Sequence, residues 1–280
     1  MAIIVNKLHE LFGAEVQGVD ITSPIDGETA EALRDTFNKH CVLVFHDQEI
    51  TDEQHVAFSE QFGTVQMTMK TDPYGGGGPI NRITNVDDSG KIIPPEDTRM
   101  KYYFGNELWH SDGAFTRSPL RGSLLSAKVV PPEQGETEFA CVRAAYAALP
   151  EEKKASLEGL IVEHSMAYSR TQIAPELVTE AFRKEAPPVE HALIRTVPET
   201  GEKALLVGSY ASHVIGWSIE KGRALLKELM EWATRPQFVY SHSWRANDLV
   251  MWDNRHCLHR ARPFDSQKYK RIMHRTTLAG

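Results

Sequence analysis

Asn106-Glu107-Leu108-Trp109-His110-Ser111-Asp112 is the stretch around which the rest of the chain must be arranged. Read as a strand, it puts His110 and Asp112 on one face, because side chains two apart in extended backbone point the same way. An imidazole and a carboxylate on one face make two corners of a metal site. The third corner has to come from a distant segment. The best source is Trp252-Asp253-Asn254-Arg255-His256-Cys257-Leu258-His259, which offers His256 and His259. Two histidines and one carboxylate on one face of a metal, with the other positions open, form the ligand set of non-haem Fe(II) oxygenases. The fold must therefore carry residues 106–112 and 252–259 to one place.

Working outward, residues 11–22 read as short extended pieces broken by Gly13 and Gly18. Residues 27–39 place Ala30, Leu33 and Phe37 at helical spacing behind a cap at Asp26. The apolar run Cys41-Val42-Leu43-Val44-Phe45 reads as a buried strand. Thr51-Asp52-Glu53-Gln54 has the form of a capping box, opening a helix that carries Val56, Ala57, Phe58 and Phe62 as far as Gly63. On the other side, residues 122–130 form a strand stopped by Pro131-Pro132, and Gly135-Glu136-Thr137-Glu138-Phe139 turns into the next. Residues 143–158 are expected to be helical, with a strand pattern over 159–170 that carries Leu160, Ile161, Val162 and His164. Strands follow at 192–196 and 204–207. A helix over 218–234 has Leu225, Leu226, Leu229 and Trp232 on one stripe. Residues 238–244 alternate strictly, and 249–252 and 271–278 supply the last strands. Many short strands with few helices outside them, no repeat and no separating linker predict one domain over 1–280. Its class is mainly β with peripheral helices, a double-sheet jelly roll or double-stranded β-helix.

Two segments depart from that pattern. Residues 66–105 are broken by Gly75-Gly76-Gly77-Gly78-Pro79 and by Pro94-Pro95, leaving room for one short strand at 83–86. The segment reads either as a mobile surface loop or as an active-site loop beside the metal. The glycine run lacks the strand, Lys-Ser/Thr and helix of a phosphate-binding loop. Residues 171–188 read as a helical insertion closed by Pro187-Pro188.

Composition narrows the setting. The formal charge of −7 argues against a nucleic-acid partner, whose footprint is basic. Cys41, Cys141 and Cys257 are few, odd in number and far apart, which fits a reducing compartment. The first residues lack the pattern of a signal peptide, and no apolar run approaches a membrane span. A cytoplasmic protein with no membrane partner is expected.

These residues carry a resemblance that runs nearly end to end. Gly13-Ala14-Glu15-Val16, Gly18-Val19-Asp20, Val42-Leu43-Val44-Phe45, Asn106-x-x-Trp109-His110-x-Asp112, Gly135-Glu136-Thr137-Glu138-Phe139, Trp252-Asp253-Asn254-Arg255-x-x-x-His259 and Arg271-Ile272-Met273-His274-Arg275-Thr276-Thr277 recur in order. In that respect the chain resembles the taurine and 2,4-dichlorophenoxyacetate dioxygenase family of Fe(II)- and 2-oxoglutarate-dependent oxygenases. The resemblance implies a jelly-roll core, iron held by His110, Asp112 and His259, and O2 and 2-oxoglutarate as cosubstrates. It selects His259 over His256, which is left to pack or hydrogen-bond nearby. Arg271 matches the arginine that binds the distal carboxylate of 2-oxoglutarate, and Thr137 the threonine that helps hold it. Arg275 matches an arginine close to the substrate's anionic group, and Asn106 an asparagine beside the metal. His213 reads as structural. No catalytic residue beyond the iron centre is implied, and homo-oligomers are common in the family.

Val129-Val130-Pro131-Pro132, Arg143-Ala144-Ala145-Tyr146-x-Ala148-Leu149-Pro150, Ala211-Ser212-His213-Val214 and Leu249-Val250-Met251-Trp252 resemble the phenoxyacetate branch more than the taurine branch. The resemblance thus implies a small anionic substrate of the aryloxyacetate type, hydroxylated next to its ether oxygen to give a phenol and glyoxylate. Two other readings stand beside it. One is the same mechanism on taurine or another small sulfonate or carboxylate. The other is a metal-binding jelly roll without turnover.

Overall fold

The structure, a computed structural model, describes residues 3–68 and 76–280. Strand β1 (Ile4–Lys7) pairs antiparallel with β2 (Ala14–Gln17). Helix α1 (Gly27–His40) begins at Asp26, whose carboxylate accepts the Thr29 N–H, and ends where Cys41 turns left-handed. Strand β3 (Val42–Phe45) follows directly. Helix α2 (Asp52–Ser59) has both halves of the capping box between Thr51 and Gln54. It stops at Ser59, one turn short of Gly63. Strand β4 (Asn81–Thr84) and helix α3 (Thr98–Phe104) lie within the glycine- and proline-broken segment, and a single 3-10 turn, Gly105–Glu107, leads to the His-x-Asp stretch.

Beyond it come β5 (Gly122–Val129) and β6 (Thr137–Cys141). The helical stretch expected over 143–158 is formed by two helices, α4 (Val142–Ala147) and α5 (Glu151–Leu157). Pro150 divides them, since it has no N–H to give and its ring collides with a preceding helical turn. The expected strand over 159–170 is also shorter. It is β7 (Ile161–His164), after which Ser165 caps helix α6 (Met166–Thr171) through its hydroxyl to the Tyr168 N–H. Helix α7 (Glu180–Glu185), strands β8 (Val189–Ala192), β9 (Ile194–Thr196), β10 (Lys203–Leu205) and β11 (Ala211–Val214), and helix α8 (Ile219–Ala233) complete this half. The chain ends in β12 (Val239–His242), β13 (Leu249–Asp253), β14 (Cys257–Ala261) and β15 (Ile272–Leu278).

The fold is a jelly roll in which seven strands, in the order β1-β2-β3-β13-β5-β15-β4, face a sheet of order β12-β6-β14. Alternation decides what each face buries. Val42, Val44, Leu125, Ala127, Val250, Trp252 and Met273 point from the large sheet into the space between the sheets, where they meet Phe139, Cys141 and Cys257 from the small one. The alternate residues Leu43, Phe45, Leu124, Leu249, Met251 and Leu278 pack outward on Leu33 and Phe37 of α1 and Phe58 of α2. Ala140 and Leu258 point outward from the small sheet, onto α4 and α8. Parity therefore places Thr137 with Phe139, His259 with Cys257 and Arg275 with Met273, all toward the space between the sheets.

That space also gathers the cysteines. Cys141 faces Cys257 across the β6–β14 ladder and Cys41 packs in the same cluster; all three thiols are free and buried. Among the described residues no helix is long and apolar enough to cross a membrane.

Candidate metal centre and its cavity

His110 does not lie in a strand, as the alternation of His110 and Asp112 suggested. It makes a single antiparallel bridge to His259, and the chain enters a turn at Asp112. The bridge suffices to bring the two imidazoles together. His110 N–H donates to the His259 carbonyl at 3.0 Å and His259 N–H to the His110 carbonyl at 2.8 Å, and the ring centroids stand 4.1 Å apart. The turn carries the Asp112 carboxylate back to both rings. Its Oδ1 is 3.7 Å from His110 Nε2 and its Oδ2 is 3.8 Å from His259 Nε2. One ligand atom from each of the three residues lies within 4.8 Å of the others, and all three are buried.

The surroundings prepare these atoms. The Leu108 carbonyl, 2.7 Å from His110 Nδ1, can only accept, so Nδ1 carries the proton and Nε2 keeps its lone pair. Burial lowers the pKa of His110 and takes His259 well below the usual histidine range, so both rings are neutral at pH 7. Burial alone would raise Asp112, but Arg275, the two imidazoles and the Ser123 hydroxyl outweigh it and hold the carboxyl well below the usual carboxylate range. Ser123 Oγ donates to Oδ2 at 2.7 Å, while Arg275 Nη1 reaches Oδ1 at 2.9 Å and Oδ2 at 3.0 Å. Two neutral imidazole nitrogens and an ionised carboxylate, in a buried cluster, fit a divalent iron ion.

Asn254 ties the two arms of the cluster together. Its Oδ1 accepts the Asp112 N–H at 3.1 Å and the Trp252 Nε1–H at 3.0 Å, and its Nδ2 donates to Ser123 Oγ at 3.1 Å. Its carbonyl accepts the Ser111 hydroxyl at 2.6 Å. Residues 110–112 are thereby fastened to the turn that leads into β14. Asn254 stands within the Trp252-Asp253-Asn254-Arg255 motif, whose resemblance implies no role for it. Ser123, one of two serines in strand β5, carried no signal.

The cluster opens on a cavity of about 520 Å³. His110, Asp112, Asn106 and Arg275 line it, together with Tyr102, Phe115, Tyr210, Met67, Leu120 and Phe182. Arg271 and Thr137 do not. Arg271 is 2% exposed just before β15, and its one side-chain hydrogen bond goes from Nη1 to the Tyr103 hydroxyl at 3.4 Å. Its Nε has no partner, and no carboxylate among the described residues lies within 4.0 Å. A buried guanidinium with no counter-charge is costly, so this one fits a bound anion. Thr137 Oγ1, also buried, accepts the Trp244 Nε1–H at 3.0 Å. Burial raises the pKa of Tyr103, with Arg271 opposing it, so the phenol stays protonated beside that guanidinium. His256 is fully buried beside Asp253, its Nδ1 3.5 Å from Oδ2, and takes no part in the cluster. His213 lies on β11 beside Ser212 and Glu163.

Residues 5–277 match the family described as taurine catabolism dioxygenase TauD, TfdA family. The chain is 38% identical to the alpha-ketoglutarate-dependent 2,4-dichlorophenoxyacetate dioxygenase of Cupriavidus pinatubonensis, over 99% of this chain and 98% of that protein. It is 35% identical to the (S)-phenoxypropionate/alpha-ketoglutarate-dioxygenase of Sphingobium herbicidovorans, over 100% of this chain and 96% of the relative. The crystal structure of AAD-2 in complex with Mn(II) and N-oxalylglycine superposes with a TM-score of 0.93 at 41% identity, covering 100% of this chain and 98% of the other.

Proposed function

The chain belongs to the taurine catabolism dioxygenase TauD, TfdA family, and from that premise we propose that it hydroxylates an aryloxyacetate-like acid at the carbon next to the ether oxygen. It is an oxidoreductase that uses Fe(II), 2-oxoglutarate and O2. With iron bound, 2-oxoglutarate supplies the two electrons that O2 activation needs and leaves as succinate and CO2. One oxygen atom enters the substrate C–H bond, and the resulting hemiacetal breaks its ether C–O bond to release a phenol and glyoxylate.

His110, Asp112 and His259 hold the iron in this reading, and the bonds from Leu108, Ser123 and Asn254 fix the directions of their lone pairs. Arg271 takes the distal carboxylate of 2-oxoglutarate, with Thr137 beside it. Asn106 and Arg275 face the substrate. Residues 66–105 serve as the active-site loop and 171–188 as a helical insertion over the cavity, within one domain spanning 1–280. Met67 and Tyr102 from the first and Phe182 and Ala186 from the second support this, since all four line the cavity; residues 69–75 lie outside the described part. Three free thiols support a cytoplasmic setting. The edge strand β1, with Ile4 and Val5 exposed, supports a homo-oligomer.

The observation that carries the reading is the convergence of the His-Asp-His cluster on a cavity walled by aromatic side chains. The aromatic walls offer faces for an aryl ring to pack on, whereas taurine carries no ring to use them. A metal-binding protein without turnover has no use for the buried cation of Arg271. The test has two parts. Anaerobic Fe(II) with 2-oxoglutarate should give a weak visible charge-transfer band, which a metal store would lack. Succinate release is then measured with phenoxyacetate, phenoxypropionate and taurine. Turnover coupled to taurine alone would overturn the substrate and leave the oxygenase chemistry standing.

A further inference from the structure

Two arginines line the cavity, and they are not equivalent. Arg275 is partly committed: its Nη1 lies against both oxygens of Asp112, although its Nε, like that of Arg170, has no hydrogen-bond partner among the described residues. Arg170 is not. It sits in the last turn of α6, inside the segment whose sequence had read as a strand. Its guanidinium carbon lies 5.3 Å from the centroid of the Tyr102 ring. Its Nη1 rests on Gly105, so close that a Cβ there would be 2.0 Å away and would displace it. Its Nε is buried without a hydrogen-bond partner, and no carboxylate among the described residues lies within 4.0 Å.

A guanidinium is a planar fork of donors that matches a carboxylate with two parallel bonds. Held over an aromatic face, with no acceptor for it among the described residues, it is pre-organised for a bound anion. We propose that Arg170 binds the substrate's carboxylate and determines specificity for acids over neutral analogues. Arg275 still faces the same anion, but part of its charge is already offset by Asp112, so Arg170 supplies the main attraction. The glycine at 105 is what leaves room for the fork beside Asn106. The inference rests on the aryloxy-acid reading above.

The experiment uses the full-length iron-loaded enzyme with Arg170→Met, which keeps the aliphatic stem, and Arg170→Lys, which keeps the charge. KM is measured for phenoxyacetate, and turnover or inhibition for the neutral phenoxyacetamide. Arg170→Met should raise KM for the acid about ten- to a hundred-fold, the range of a lost charged hydrogen bond. It should leave the amide within about two-fold, and the lysine variant should recover part of the loss. The anaerobic Fe(II)–2-oxoglutarate band should form at the wild-type cosubstrate concentration. An unchanged KM for the acid in Arg170→Met overturns the inference, as does an equal loss for acid and amide, which marks a merely structural role. If the wild-type enzyme releases no phenol from any aryloxy acid, the substrate reading fails and takes this inference with it. That failure is separable because it is seen before any variant is made.

Discussion

His110 and His259 exchange both of their backbone hydrogen bonds, although they come from opposite halves of the chain. The bridge belongs to the backbone, so it outlasts removal of either imidazole. His256, by contrast, uses its ring to fill a fully buried space beside Asp253, a carboxylate that burial would raise but that His256 and Arg255 hold low. His259→Ala should therefore abolish the Fe(II)–2-oxoglutarate band while costing the apo-protein little stability. His256→Ala should keep the band and lower stability by about 2–4 kcal/mol, as buried truncations do. Iron titrations and urea melts of the two variants check this, and a band lost with His256 rather than His259 would reverse the assignment.

Arg271 offers a second contrast, between cosubstrate and metal. Its guanidinium is buried with no carboxylate among the described residues within 4.0 Å, and it does not line the cavity on which the His-Asp-His cluster opens. Arg271→Ala should raise the 2-oxoglutarate concentration needed for half-maximal band intensity by roughly two orders of magnitude or more, the cost of losing one partner of a buried charged pair. Fe(II) binding, followed in the absence of the keto acid, should change less than about three-fold. Equal losses of both would contradict the assigned role.

Much of this arrangement was legible from local signals. The Thr51–Gln54 capping box, the Asp26 cap and the apolar run through Val42 to Phe45 are each written into a few adjacent residues, and the two caps and the buried strand formed as read. What failed depends on partners far away. His110 and Asp112 share a face through a bridge and a turn, since the bond that fixes them comes from β14. Residues 165–170 looked extended because Ile161 and Val162 set the pattern, but the Ser165 hydroxyl caps a helix there. That same misreading hid Arg170. Ser123 and Asn254 matter through contacts with Asp112 that no short window of sequence contains.

Asn254 is buried at 0% exposure and satisfies donors on Asp112 and Trp252 while donating to Ser123. Asn254→Ala leaves two N–H groups without acceptors, each costing about 1–3 kcal/mol. It also frees the turn that aims the carboxylate. A stability loss of about 2–5 kcal/mol and a ten- to hundred-fold weaker Fe(II) affinity are expected together. Ser123→Ala should weaken iron binding with a smaller stability loss, because it removes the bonds to Asp112 Oδ2 and from Asn254 Nδ2 but leaves the Asp112 and Trp252 N–H groups their acceptor. Iron titration alongside urea unfolding separates the two effects. Unchanged affinity in both variants would show that Asp112 is positioned by other means.

Acid should unfold the apo-protein through histidines outside the metal cluster. His55 and His164 are fully buried, and burial takes both pKa values from 6.5 down to about 3. His55 keeps one partner, the Thr276 hydroxyl at 3.2 Å, while neither ring nitrogen of His164 has any among the described residues. Since the folded values lie below the ordinary one, the unfolded chain takes up these protons first. The stability they contribute is complete above pH 6.5 and is lost as pH falls toward 3. Each histidine should add about 1.4 kcal/mol per pH unit to the slope in that window, or about 2 kcal/mol by pH 5. His164→Phe removes one of the two protons and should flatten the acid limb by about that slope while changing stability at pH 7.5 much less. Urea unfolding of metal-free protein between pH 4.5 and 7.5 provides the measurement, and parallel curves for wild type and variant would mean that His164 is already protonated in the folded state.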